Sequence, residues 1–131
     1  MSLVMKEIVC SNAPKAIGPY SQGMRCGDFI FLSGQIPLDP ETGVMVGTTV
    51  EEQTTRVMKN ILGVLESLHL EVNHIAKTTV FLKSMSDFPK FNAIYETFLK
   101  APYPARSTVE VARLPKDALV EIEALIFAPI L

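Results

Sequence analysis

The stretch Tyr103-Pro-Ala-Arg106-Ser-Thr-Val-Glu-Val-Ala-Arg-Leu-Pro-Lys-Asp-Ala-Leu-Val-Glu121-Ile-Glu123 decides how the chain is read. β-Branched residues are too frequent here for a good helix, and polar residues fall at alternate positions, so the stretch predicts a β-hairpin. A period of two puts Arg106, Thr108 and Glu110 on one face, and Glu121 with Glu123 on one face of the strand expected beside it. A guanidinium entering so apolar a sheet needs an anionic partner, because an unpaired buried charge is strongly destabilising. That partner is either a glutamate, giving an Arg106–Glu121 ion pair or a polar sheet edge, or the carboxylate of a small ligand. Glutamate is depleted in strands, so Glu121 between Val120 and Ile122 is also a candidate general acid or base. Desolvation would raise its proton affinity and Arg106 would lower it.

Upstream, residues near Lys6–Val9 predict a short strand. Pro14, Gly18 and Pro19 make Ala13–Tyr20 a loop. Gly23–Cys26 and Phe29–Ser33, separated by Gly27-Asp28, predict a second hairpin. Gly34–Gly47, with Pro37, Pro40 and Gly43, is turn-rich. Thr49-Val-Glu-Glu52 fits a capping box, and Val57, Met58, Ile61, Leu62, Leu65 and Leu68 follow at helical spacing. Gly63 interrupts that helix at a propensity cost of up to ~1 kcal/mol, which points to close packing. Ile75–Lys83 predict a strand. Ser86 is the expected cap of a helix over Asp87–Leu99, with Phe88, Phe91, Ile94, Tyr95 and Phe98 as its buried stripe.

The order is β-β-β-α-β-α-β-β, an α+β fold with a six-stranded mixed sheet and two helices on one face. The last strand is apolar on both sides: Val120, Ile122, Ala124 and Ile126 point one way, Leu125 and Phe127 the other. Two helices cover only one side, so the second side needs other subunits.

At 131 residues the chain is expected to form one domain, residues 1–131. Its hydrophobic content of 48% is high for a small monomer and agrees with self-association. No apolar run approaches the ~20 residues of a membrane span. A net charge of −2, no tryptophan and no basic stripe argue against nucleic acid as a partner. Cys10 and Cys26 form no C-x-x-C, and with no visible signal peptide a reduced, cytoplasmic setting is expected. Met1–Val4 precede a second methionine, Met5, and are given no role. His69 and His74 lack clustered partners, so no metal site is expected. Phosphate-binding, dinucleotide-binding and nucleophile-elbow motifs are absent from the sequence.

Three further positions stand out more weakly. Tyr20 sits in the rigid Gly18-Pro-Tyr20 loop, where packing is the plainer role. Gly34, after Ser33, permits close approach to a ligand but also suits an ordinary turn. Asn92 lies in the second helix, where most asparagines face solvent.

Together, Ala16-Ile-Gly-Pro-Tyr-Ser-Gln22, Leu32-Ser-Gly-Gln-Ile-Pro37, Lys77-Thr-Thr-Val-Phe81, Phe91-Asn-Ala-Ile-Tyr95 and the Pro104–Asp117 stretch with Val120-Glu-Ile-Glu123 resemble the Rid (YjgF-type) family. The likeness is closest to its RidA branch of reactive-intermediate deaminases and runs from about Ile8 to Phe127. It implies a chorismate-mutase-like homotrimer with clefts between subunits. The implied reaction is cofactor-independent hydrolysis of 2-imino and 2-enamino acids, such as 2-iminobutanoate and 2-iminopropanoate, to 2-oxo acids and ammonia. On the same basis Arg106 grips the substrate carboxylate, Glu121 handles the attacking water and Tyr20 closes the site. Ser33, Gly34, Asn92 and Thr108 are its further substrate-binding residues. Thr108 stands where many RidA proteins carry cysteine, which excludes thiol regulation there. The rival readings are a non-catalytic sensor of small carboxylates, an endoribonuclease or translation inhibitor, and a chaperone-like protein.

Overall fold

The computed structural model describes residues 5–130. Six strands form one mixed sheet: β1 (Met5–Ile8), β2 (Gly23–Cys26), β3 (Phe29–Gln35), β4 (Ile75–Leu82), β5 (Ala105–Glu110) and β6 (Val120–Phe127). Their spatial order is β1-β2-β3-β6-β4-β5. Two helices, α1 (Val50–Ser67) and α2 (Phe88–Thr97), lie in the long connections. The α+β reading therefore holds, with six strands and two helices.

The β2–β3 hairpin forms as expected, with Gly27 at a positive φ of 59° in its turn. The β5–β6 hairpin does not form. β4 lies between these strands, parallel to β5 and antiparallel to β6. β6 in turn pairs antiparallel with β3. β3 and β4 thus run in the same direction, as a helical crossover requires, with β6 inserted between them. Chain neighbours usually pair, but α2 leads directly back to a parallel β5 on the outer edge of β4.

Thr49 caps α1 as the sequence indicated: its hydroxyl accepts from the Glu52 N–H at 3.1 Å, and the Glu52 carboxylate accepts from the Thr49 N–H at 3.2 Å. Gly63 lets α1 pass directly against the backbone carbonyl of Asn12, which a methyl group would strike. The second cap differs from expectation. A single 3-10 turn over Met85–Asp87 precedes α2, and Ser84, not Ser86, caps that turn. Asp87 holds the N-cap position of α2 without a side-chain hydrogen bond.

The core lies between the helices and one side of the sheet. Ile30 and Leu32 of β3, Val80 and Leu82 of β4, and Val120, Ile122, Ala124 and Ile126 of β6 meet Val57, Met58, Ile61, Val64 and Leu65 of α1. Phe91 and Tyr95 of α2 are fully packed there too. Phe88, Ile94 and Phe98 of the expected stripe are only half-buried. The other side of the sheet is bare: Phe29, Phe31, Val109 and Phe127 are each more than two-fifths exposed.

Candidate functional site

The inserted β4 separates the two residues that the sequence placed side by side. Arg106 pairs with Thr78 of β4. Thr78 is buried among the core side chains, so Arg106 projects on the helix side of the sheet. Glu121 alternates with buried Val120 and Ile122 and projects on the bare side. An Arg106–Glu121 ion pair within one chain is therefore ruled out. Nor is Arg106 sunk in an apolar sheet: β5 is an edge strand and the side chain is exposed.

Arg106 is held by α2 instead. Its Nη1 donates to Asn92 Oδ1 at 2.7 Å. The guanidinium carbon stands 5.3 Å from the Phe88 ring centroid and 5.1 Å from that of Tyr95. Asn92, Tyr95, Glu96, Tyr103 and Pro104 surround it in a small open cleft. No acidic group pairs with it among the described residues, whose one ion pair is Arg113–Asp117 on the surface.

Glu121 sits in a second and larger cleft of about 600 Å³ with Tyr20, Ser33 and Gly34. β3 makes room for it with a bulge. Leu32 pairs with Ala124 and Gln35 with Ile122, so β3 carries one extra residue at Ser33-Gly34. Gly34 leaves the space that the Glu121 carboxylate occupies, and a β-carbon there would force that side chain to move. The Ser33 hydroxyl donates to the Ser21 carbonyl at 2.6 Å and ties this bulge to the loop bearing Tyr20. Gln22 fastens the same loop, with Oε1 accepting from Cys10 N–H at 2.7 Å and Nε2 donating to the Pro14 carbonyl at 2.8 Å. Pro14, Ile17, Ile36, Leu38 and Pro115 give the cleft apolar walls, and Lys15, Gln35 and Lys116 also line it.

Burial raises the proton affinity of Glu121 above that of an ordinary carboxyl, and the nearby Glu123 charge adds to the effect. Tyr20 is just over half exposed at the cleft mouth. The structure thus brings Tyr20, Ser33, Gly34 and Glu121 together, places Arg106 with Asn92 elsewhere, and leaves Thr108 lining neither cleft. Thr108 Oγ1 is shielded from solvent and has no hydrogen-bond partner.

Sequence reading missed the contribution of Phe88 and Tyr95 to the arginine site, having placed both in the core stripe. Their signal is positional: Phe88, Asn92 and Tyr95 stand at i, i+4 and i+7, on one face of a helix. The bulge was also legible, since an isolated glycine within a strand pattern marks one.

Residues 10–128 match the family described as endoribonuclease L-PSP. A 2-iminobutanoate/2-iminopropanoate deaminase of Salmonella typhimurium is 50% identical over 123 residues, covering 92% of this chain and 95% of the relative. The chain belongs to the Rid family. Among solved Rid-type structures, YyfA of Yersinia pestis, a protein of unknown function, superposes with a TM-score of 0.91 at 44% identity, covering 95% of this chain and 99% of that one. Escherichia coli TdcF, solved with bound serine, gives 0.88 at 42% identity, covering 93% and 98%. The chain thus shares its fold with these solved neighbours. No helix among the described residues is long and apolar enough to cross a membrane.

Proposed function

We propose that this Rid protein is a cofactor-independent deaminase. It hydrolyses 2-imino acids, with their 2-enamino tautomers, to 2-oxo acids and ammonia at sites completed between the subunits of a cytoplasmic homotrimer. One observation carries the reading: a guanidinium with no acidic partner among the described residues and a half-buried carboxyl with raised proton affinity project on opposite sides of one sheet. One chain cannot bring them to a single small molecule. Adjacent copies can, if the bare side of one sheet meets the β5 edge of the next. The exposed Phe29, Phe31, Val109 and Phe127 supply an apolar reason for that association. The names of the 50%-identical relatives support the reaction.

The chemistry follows from the two groups. Arg106 binds the substrate carboxylate through a two-pronged contact and fixes the position of C2; its planar fork still has free donors after Asn92 takes one. Glu121 accepts a proton from water as the oxygen bonds to C2 of the protonated imine, and the C=N π electrons pass to its nitrogen. A neutral carbinolamine results. Glu121 then returns its proton to that nitrogen, the C–N bond breaks, and ammonia leaves as C=O forms and the hydroxyl proton passes to solvent water. Tyr20 covers the mouth, and the apolar walls receive the substrate side chain. The family description also names an endoribonuclease, but a net charge of −2 favours the small-molecule reading.

The test is ammonia and 2-oxo-acid release from 2-imino acids made in place by a coupled dehydratase. Arg106→Lys replaces a fork by a point charge and is expected to cost about 10²-fold in kcat/KM. Glu121→Gln is expected to keep 2-oxobutanoate binding while slowing turnover by about 10²–10⁴-fold. Near-normal turnover in either variant removes that residue from its role.

A further inference from the structure

Arg106 lies on an edge strand, and a long exposed side chain there is ordinarily free to sample many rotamers. This one is restrained from three sides by one helix. Phe88, Asn92 and Tyr95 all touch it, and they recur at the spacing that aligns side chains on a single helical stripe. Phe88 and Tyr95 are two turns apart, roughly 10.5 Å along the axis, a span that admits one guanidinium between two rings.

The Tyr95 ring is itself fixed. It is 4% exposed and packs on Phe91 with centroids 5.2 Å apart. Its hydroxyl meets Thr78 Oγ1 at 2.6 Å inside the core. Thr78 is also the residue directly opposite Arg106 across the β4–β5 ladder. A chain of contacts therefore runs from the sheet, through Thr78 and Tyr95, to the guanidinium.

We propose that Phe88 and Tyr95, the latter anchored by Thr78, form an aromatic cradle that sets the plane of the Arg106 guanidinium and so its affinity for a carboxylate ligand. This rests on the reading of Arg106 as the carboxylate-binding group. The rings are positioning residues. Asn92 Oδ1 occupies Nη1 and leaves the remaining N–H donors as the edge presented to the ligand. A carboxylate needs two parallel N–H donors in one plane, so a guanidinium free to turn binds it less well.

The experiment measures 2-oxobutanoate binding by calorimetry, together with kcat and KM, in Tyr95→Leu, Phe88→Leu, Tyr95→Phe and Arg106→Ala. Loss of either ring is expected to weaken binding and raise KM by about fivefold or more, with kcat nearly unchanged. Tyr95→Phe keeps the ring but loses the hydroxyl that ties it to Thr78, and should weaken binding by less than Tyr95→Leu does. The Arg106 Nε–H resonance, assigned by its loss in Arg106→Ala, should be displaced by the ring currents in the free protein. It should move toward the position of an unrestrained arginine in both leucine variants. If Tyr95→Leu fails to fold, Phe88→Leu carries the test at the half-buried end of the stripe. Unchanged binding in the leucine variants, with binding lost in Arg106→Ala, overturns the cradle and leaves the carboxylate reading standing. Unchanged binding in Arg106→Ala overturns both.

Discussion

Glu121 is a carboxyl whose surroundings favour its proton. Burial supplies the larger part of that preference and Glu123, two residues along the same face, supplies the rest. Water activation needs the ionised form, so the acid limb of the kcat/KM profile should lie above the ordinary carboxyl value of 4.5. Glu123→Gln removes one of the two causes and should move that limb to lower pH; a profile that does not move would detach Glu123 from the site. Stability should respond with the sign that linkage requires. A raised carboxyl value contributes stability below 4.5 that is lost as pH rises through the folded-state value. Glu121→Gln should therefore melt higher than wild type near neutrality and match it in acid. Type and spacing singled out both residues of the proposed chemistry, with an internal ion pair standing beside a ligand as the alternative, and only the likeness to the Rid family assigned them roles. Their relation was not legible, because which side of a sheet a residue occupies depends on which strand pairs with which.

Elements reported themselves unequally. The Thr49–Glu52 capping box and the apolar period after it located α1 closely, since every signal there is local. Ser86 was misread because one 3-10 turn shifts the start of α2, and a serine two residues earlier does the capping. Gly63 was read for close packing, and the contact with the Asn12 carbonyl bears that out. Its replacement has two opposed effects. Gly63→Ala gains about 1 kcal/mol of helix propensity. The methyl group meets a backbone carbonyl that cannot swing aside, and such overpacking costs about 1–3 kcal/mol. We expect net destabilisation of up to about 2 kcal/mol in urea unfolding. A stabilised variant would show that the Asn12 loop yields easily.

For the whole molecule, the sequence signalled a sheet with one side too many. Apolar residues alternate on both sides of β6, and the structure leaves Phe127 and its neighbours uncovered. The pairing of β6 with β3 and β4 was illegible, because nothing in one sequence records a contact between strands so far apart in the chain. If the catalytic site is shared between copies, two inactive variants should repair each other. Co-expressed Arg106→Ala and Glu121→Gln would give mixed assemblies in which about a quarter of the sites hold both native groups. Recovery of activity near that fraction is expected, whereas none would mean that each chain keeps its site to itself.

The central position of β6 also bears on biosynthesis. A ribosome delivers β3 and β4 well before the strand that must join them. Until it emerges, the nascent polypeptide carries two apolar half-sheets with nothing to close the gap, and each exposes a row of unsatisfied amides and carbonyls. Translation of this chain should therefore depend on chaperone shielding late in synthesis, and arrest upstream of Val120 should yield a product that aggregates.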